Sequence, residues 1–318
     1  MKRRPHLGRL LLAAGWALVV AACGARTGLL SGRSRGDGPN GGSSSGSGDG
    51  AGDGAGEDTL PPLDGPAECP DPRARLVYVI TSLGVVMSFT PATGAFVTIG
   101  TATCGDESIF GPVSMAVNET GVAYVLYDDG NVYRVSLLTA SCHPTSFTQG
   151  GDEAPVVQFG MAFAAGSTGA GETLFAATSP SDPVGNMLPS VLESIDTTSF
   201  AVHTIGTLSP SVFEPELAGT GSGELFALSP GPGLSGAVID KIDLPSAQVA
   251  VVQSLPAVQL GNAWAMTVWE GDYYLFTALA GGSSIVRRVR ASDGAVTQVA
   301  TAPGVVVGAG TAVCVPSP

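Results

Sequence analysis

Apolar and polar residues alternate along this chain in short runs, and after residue 70 no long stretch repeats at helical spacing. The clearest run is Gly121-Val122-Ala123-Tyr124-Val125-Leu126-Tyr127. Asp128-Asp129-Gly130-Asn131 follows it, then Val132-Tyr133-Arg134-Val135-Ser136. This predicts two strands joined by a tight turn, because Asp, Gly and Asn tolerate the positive φ that a hairpin demands. Weaker copies of the first strand begin at Gly171, Gly223 and Gly271, and Leu76-Val77-Tyr78-Val79 fits the same slot. Aligning Val79, Val125, Phe175, Phe226 and Leu275 gives steps of about 50 residues, the repeat length of propeller blades.

The remaining strands fall into register. A short segment with a small central residue precedes most hairpins: Met115-Ala116-Val117, Met161-Ala162-Phe163, Leu217-Ala218-Gly219 and Ala265-Met266-Thr267. Innermost strands converge on a common axis, so Ala116, Ala162, Ala218 and Ala265 suit a place where large side chains would collide. A third strand follows each hairpin, as at 191–196, 238–243 and 285–290. A closing strand comes after it, as at 93–99, 199–205 and 293–299. The first unit lacks an innermost strand. Val305 to Val313 can supply it, with Ala309 in the small-residue slot, and leave no sheet edge open. The prediction is an all-β fold, a five-bladed β-propeller closed by the C-terminal strand, with six blades as the alternative. Over residues 76–315 the blade pattern resembles the broad group of bacterial propellers of the YVTN, quinoprotein and virginiamycin-lyase type. That resemblance implies a fold and no activity.

The N-terminus has another character. Lys2, Arg3, Arg4 and Arg9 precede a short apolar core, Leu10 to Val20, and the small pair Ala21-Ala22. Residues 1–22 therefore read as a secretory signal peptide, too short to span a bilayer as a helix. Val20-Ala21-Ala22-Cys23 resembles the lipobox of bacterial lipoproteins. The resemblance implies that Cys23 becomes the mature N-terminus and carries acyl chains such as palmitate, anchoring the chain in a membrane. Gly24 follows the cysteine, which in the enteric pattern implies the outer membrane. Residues 24–68 are Gly, Ser, Asp and Pro with few apolar residues, a disordered linker about 35–40 Å in average span. The domain plan is a signal peptide over 1–22, lipidated cysteine and linker over 23–68, and the propeller over 69–318.

With 45 Gly among 318 residues, the composition suits a turn-rich β domain. The formal charge of −13 becomes more negative once the basic leader is removed. Such a chain lacks the basic footprint of a nucleic-acid partner and the charge to adsorb on anionic lipid.

Beyond Cys23 the chain has Cys69, Cys104, Cys142 and Cys314, which in an exported protein suggest two of three possible disulfide pairings. Propeller closure selects among them. It brings Cys69 to Cys314 at the joined ends, and Cys104 to Cys142 between neighbouring outer strands. No Cys-x-x-Cys spacing supports a metal site.

Candidate chemistry is sparse. His143 and His203 fall on outer strands. Asp128, Asp129 and Asn131 offer oxygens for calcium, and also the composition of a turn. Gly166 to Gly171 is glycine-rich, but a strand follows it, so it lacks the helix terminus a phosphate needs. Glu214 and Glu216 flank Pro215 before an innermost strand, where they could bind a cation, act as an acid–base pair, or form a solvated loop. Trp264 and Trp269, with Tyr273 and Tyr274, could stack on a sugar or peptide, or pack between blades. Arg288 and Arg290 share a strand, as an anion site or a solvated face. No catalytic residue, metal or cofactor is assigned. The expected function is that of a binding or scaffold module, monomeric, lipid-anchored in the bacterial cell envelope, with an unidentified protein or glycan as partner. The alternative is a lyase or hydrolase with its site at the mouth of the central channel, and a purely structural surface protein is a third.

Overall fold

The computed structural model describes residues 75–105, 110–147, 159–166, 171–182 and 184–314. The leader, Cys23, the linker and Cys69 lie outside the described residues, as do residues 167–170 of the glycine-rich stretch.

Twenty strands form five antiparallel four-stranded sheets. Blade one holds β1 (Val77–Thr81), β2 (Val85–Thr90) and β3 (Ala95–Thr101). Blade two holds β4 (Pro112–Val117), β5 (Val122–Tyr127), β6 (Val132–Ser136) and β7 (Cys142–Pro144). Blade three is β8 (Phe159–Ala165), β9 (Glu172–Thr178), β10 (Val191–Ile195) and β11 (Val202–Thr207). Blade four is β12 (Glu216–Gly219), β13 (Leu225–Pro230), β14 (Ala237–Asp243) and β15 (Gln248–Leu255). Blade five is β16 (Ala263–Trp269), β17 (Asp272–Ala278), β18 (Ile285–Val289) and β19 (Val296–Thr301). The last strand, β20 (Val306–Gly310), returns to blade one and pairs antiparallel with β1, Ala309 facing Val79. The five-bladed, C-terminally closed propeller read from the repeat is the observed fold. The top of the ring is the end where innermost strands begin, and the bottom is the end where they finish.

Space at the axis explains the small residues of the innermost strands. Ala116, Ala162, Ala218, Ala265 and Ala309 are all buried. The tightest approaches fall at glycines. A Cβ on Gly160 would stand 2.7 Å from the Cα of Glu216, and one on Gly308 would stand 2.6 Å from the Cβ of Met115. Both sit where one blade's innermost strand meets the next.

The core is five layers, one between each pair of neighbouring blades. Between blades four and five, Phe226, Leu228 and Ile239 meet Trp264, Met266 and Leu275. Phe226 and Tyr273 pack edge to face there with ring centres 5.2 Å apart. Between blades five and one, Phe89 packs edge-on against Phe276 at 5.8 Å. Each such side chain contributes about 1.5–3 kcal/mol by leaving water.

Covalent and polar ties reinforce the ring. Cys104 and Cys142 form the expected disulfide between blades one and two, with Cα atoms 5.5 Å apart. Cys314 is disulfide-bonded too. Where the chain enters blade one, the indole Nε1 of Trp269 on blade five donates to the carbonyl of Arg75 at 2.6 Å.

Candidate functional site

The axis offers no channel among the described residues. Near the top, Ser114 on β4 donates its hydroxyl to the Glu216 carboxylate on β12 at 2.7 Å, and the Met161 amide on β8 donates to the same hydroxyl at 3.1 Å. Three successive blades thus meet around one oxygen, with Ser114 and Glu216 fully buried. Near the bottom, Thr267 and Thr311 share a hydrogen bond of 3.1 Å, and Thr311 also donates to the carbonyl of Val268 at 2.9 Å. The space left along the axis near its bottom end is about 10 Å³ and is bordered by Ala116, Ala162, Ala218 and Ala309. That is at the lower limit for one water molecule. The solvated loop offered as one reading of Glu216 is not what forms: Glu216 is fully buried and accepts from Ser114 of another blade. Glu214, at φ 47° and partly exposed, remains in the bend above it.

The other singled-out residues are dispersed. Trp264 is buried in the layer between blades four and five near the top of β16, and Trp269 stands at the bottom of the same strand. The structure thus brings Glu214, Glu216 and Trp264 to one end and leaves Trp269 at the other. His143 and His203 are exposed on the outermost strands β7 and β11. The Asp128–Asn131 loop is engaged internally. Asp128 accepts from the Gly111 amide at 2.7 Å, while Asp129 accepts from the Asn131 amide at 2.8 Å and the Tyr133 hydroxyl at 2.9 Å. Arg288 pairs with Asp272, and Arg290 with Asp293 at 2.8 Å. Among the described residues no three His, Cys, Asp or Glu side chains gather as a metal site.

What does stand out is the difference between the two faces. Among the described residues, large apolar side chains are exposed at eight positions in the top loops. These are Leu83 and Phe110, then Val184, Met187 and Leu188, then Phe213, Leu234 and Leu279. Leu83, Val184 and Leu234 are each 82% exposed. The loops at the opposite ends of the strands expose one, Leu138, and the rest lie on outermost strands. Turn tips ordinarily carry polar residues, so this placement runs against the usual pattern. The charges differ as well. The described top loops hold Asp128, Asp129, Asp182 and Glu214 and no Lys or Arg. Asp182 is held below the usual carboxylate range, first by the Asn186 side chain and then by backbone amides. Burial pushes Asp128 upward. Lys241, Arg288 and Arg290 all lie towards the bottom, beside Glu224, Asp272 and Asp293. Sequence reasoning missed the apolar tips. Their signal was present: Leu83 lies between Ser82 and Gly84, Val184 between Pro183 and Gly185, and Leu234 between Gly233 and Ser235.

A cleft of about 630 Å³ opens between blades three and four at the bottom, with Phe175, Ile242 and Leu244 on its walls and Glu224 and Lys241 at its rim. Its size suits a small ligand. Of its three charged lining residues, Lys241 and Glu224 pair with each other and Asp243 accepts from the Ser246 hydroxyl.

No protein-family model matches the chain, and no curated protein matches it. Among solved structures it is similar to a chain of the nidogen/laminin complex, at 12% identity and a TM-score of 0.46, over 74% of this chain and 97% of that one. It is similar to TolB from Acinetobacter baumannii at 13% identity and a TM-score of 0.41, over 70% of this chain and 51% of that one. It is also similar to a protein of unknown function from Bacteroides thetaiotaomicron at 15% identity and a TM-score of 0.44, over 67% of this chain and 56% of that one. The chain therefore spans little more than half the length of the last two. The strand pairing itself, rather than these likenesses, makes the described region a five-bladed β-propeller.

Proposed function

We propose that this chain is a lipid-anchored binding module of the bacterial cell envelope, a monomer tethered through Cys23 that presents its propeller to another macromolecule. The observation that carries this reading is the concentration of exposed apolar tips in the loops at one end of a propeller whose axis is filled. Exposed apolar groups rimmed by polar ones mark contact surfaces. The channel-mouth enzyme finds no matching support: among the described residues the Glu216 side chain at the axis is buried, and His143 and His203 lie at the periphery. The address rests on the leader and the Val20-Ala21-Ala22-Cys23 tetrad.

The test uses the full chain with its own leader, expressed in a bacterium. Wild type is expected in the membrane fraction, with acyl mass on Cys23, and Cys23→Ala is expected to be released. Detergent-solubilised wild type is expected to retain specific envelope components. A chain that stays unmodified and soluble would overturn the anchor. A chain that retains nothing while converting a small molecule of the extract would overturn the binding role.

A further inference from the structure

We infer that the top face docks a protein whose contact surface is apolar and ringed by Lys or Arg. This rests on the binding-module reading and names the partner's chemistry. Three observations lead to it.

The first is breadth. The exposed tips come from four of the five blades: Leu83 from blade one, Val184 from three, Leu234 from four and Leu279 from five. A small molecule cannot touch loops on both sides of the axis, whereas a protein surface can. The filled axis removes the alternative of a ligand seated in the centre.

The second is charge. The described top loops carry carboxylates at Asp128, Asp129, Asp182 and Glu214 and no cation. Complementarity calls for a basic rim on the partner. The same charges disfavour a bilayer. Apolar tips that insert into headgroups are normally accompanied by Lys or Arg, and here carboxylates would have to approach the lipid.

The third is where the chain joins the propeller. Residue 75 enters at the bottom, where Trp269 holds its carbonyl, and β1 runs upward from there. The preceding segment, and with it the proposed anchor, is attached at the face opposite the apolar tips. The junction at residue 75 itself therefore covers none of the apolar tips.

The test compares the unlipidated full chain, Cys23→Ser, with the same chain carrying Leu83→Ser, Val184→Ser and Leu234→Ser. These side chains are largely exposed, so the triple variant should fold as the parent does, and its melting temperature checks that. Leu138→Ser is the control. The probe is a fluorescent amphipathic peptide of about 20 residues, long enough as a helix to cross the face, with a Leu/Phe side flanked by Lys and Arg. A matched peptide carries Glu in place of the basic residues. We expect the basic peptide to bind, to weaken about tenfold or more in the triple variant, and to weaken with added salt. Leu138→Ser should bind like the parent, and the Glu peptide should not bind. Equal binding of the Glu peptide, or unchanged affinity in the triple variant, overturns the inference. So does co-sedimentation with phosphatidylethanolamine–phosphatidylglycerol vesicles that the triple variant loses, which would make the face a lipid contact. Loss in the triple variant of a concentration-dependent dimer would make it a self-contact and equally overturn it. If envelope components are retained by the triple variant as by wild type, the docking site lies elsewhere while the binding role stands.

Discussion

Ser114 and Glu216, 102 positions apart in sequence, are joined by a 2.7 Å hydrogen bond although their blades are not neighbours in the ring. The bond fits only because the innermost strands approach so closely, and it turns the top of the axis into part of the core. A hydrogen bond contributes about 0.5–1.5 kcal/mol, and a buried polar group that loses its partner, here the Met161 amide as well, costs about 1–3 kcal/mol. Ser114→Ala should lower the denaturant-unfolding free energy by about 2 kcal/mol. Glu216→Gln, which can still accept, should cost less than Glu216→Ala. Equal stability of all three variants with wild type would refute the sealed axis.

Gly160 tests the same closeness by steric means. Its φ is unexceptional, so alanine there is penalised by space alone, with Glu216 Cα at 2.7 Å and Leu217 N at 2.9 Å from the new Cβ. Gly160→Ala should destabilise by about 1–3 kcal/mol, the usual cost of overpacking. At Gly121 the φ is 76° and open space surrounds the new Cβ. Gly121→Ala is therefore penalised only for conformation, by about 1–2 kcal/mol. Both urea midpoints should fall, that of Gly160→Ala at least as far as that of Gly121→Ala.

The repeat was legible because each hairpin starts at a glycine, as at Gly121, Gly223 and Gly271, followed by a short, mostly apolar strand buried on both faces. The closing strand was legible because blade one visibly lacked a partner for Val79. Cys104–Cys142 followed from that geometry. Glu216 was not legible as a buried group, since Glu-Pro-Glu before a strand has the composition of a solvated loop. Only the distance to Ser114 on another blade shows otherwise, and sequence carries no such cross-repeat distances. The apolar tips escaped for a different reason: Leu83 and Leu234 are unremarkable singly, and their common face appears only when the blades are closed into a ring.

The disulfide between blades one and two closes a loop of 38 residues. Chain entropy assigns such a loop about 4 kcal/mol, with measured values often lower. Replacing Cys104 and Cys142 together by Ser should lower unfolding stability by about 2–4 kcal/mol, with the strand signal in circular dichroism retained. No change in the denaturation midpoint would count against a structural role for this bridge.

Stability should fall as pH rises from mildly acidic to mildly basic. Glu172 bridges blades two and three by accepting from the Glu119 amide at 2.8 and 3.0 Å. Burial pushes its carboxyl up to about 8; the Glu119 amide opposes the rise and the Glu119 charge adds to it. Burial alone pushes Asp240 up to about 6. Both folded pKa values lie above the unfolded ones, so the native state binds more protons between about pH 4 and 8, and deprotonation across that window costs stability. The melting temperature should be higher at about pH 5.5 than at about pH 8.5. Glu172→Gln should flatten the dependence and raise the value at the higher pH. A melting temperature that climbs with pH would contradict these assignments.

The most direct measurement of the docking role is photo-crosslinking in living bacteria. A benzophenone amino acid is placed in the full chain at Leu234 on the top face or at Leu138 at the opposite end, and adducts are identified by mass spectrometry. We expect Leu234 to yield a discrete protein adduct that disappears when Leu83 and Val184 are changed to Ser, and Leu138 to yield none. Adducts from Leu138 alone, or from both positions alike, would contradict a partner seated on the apolar tips.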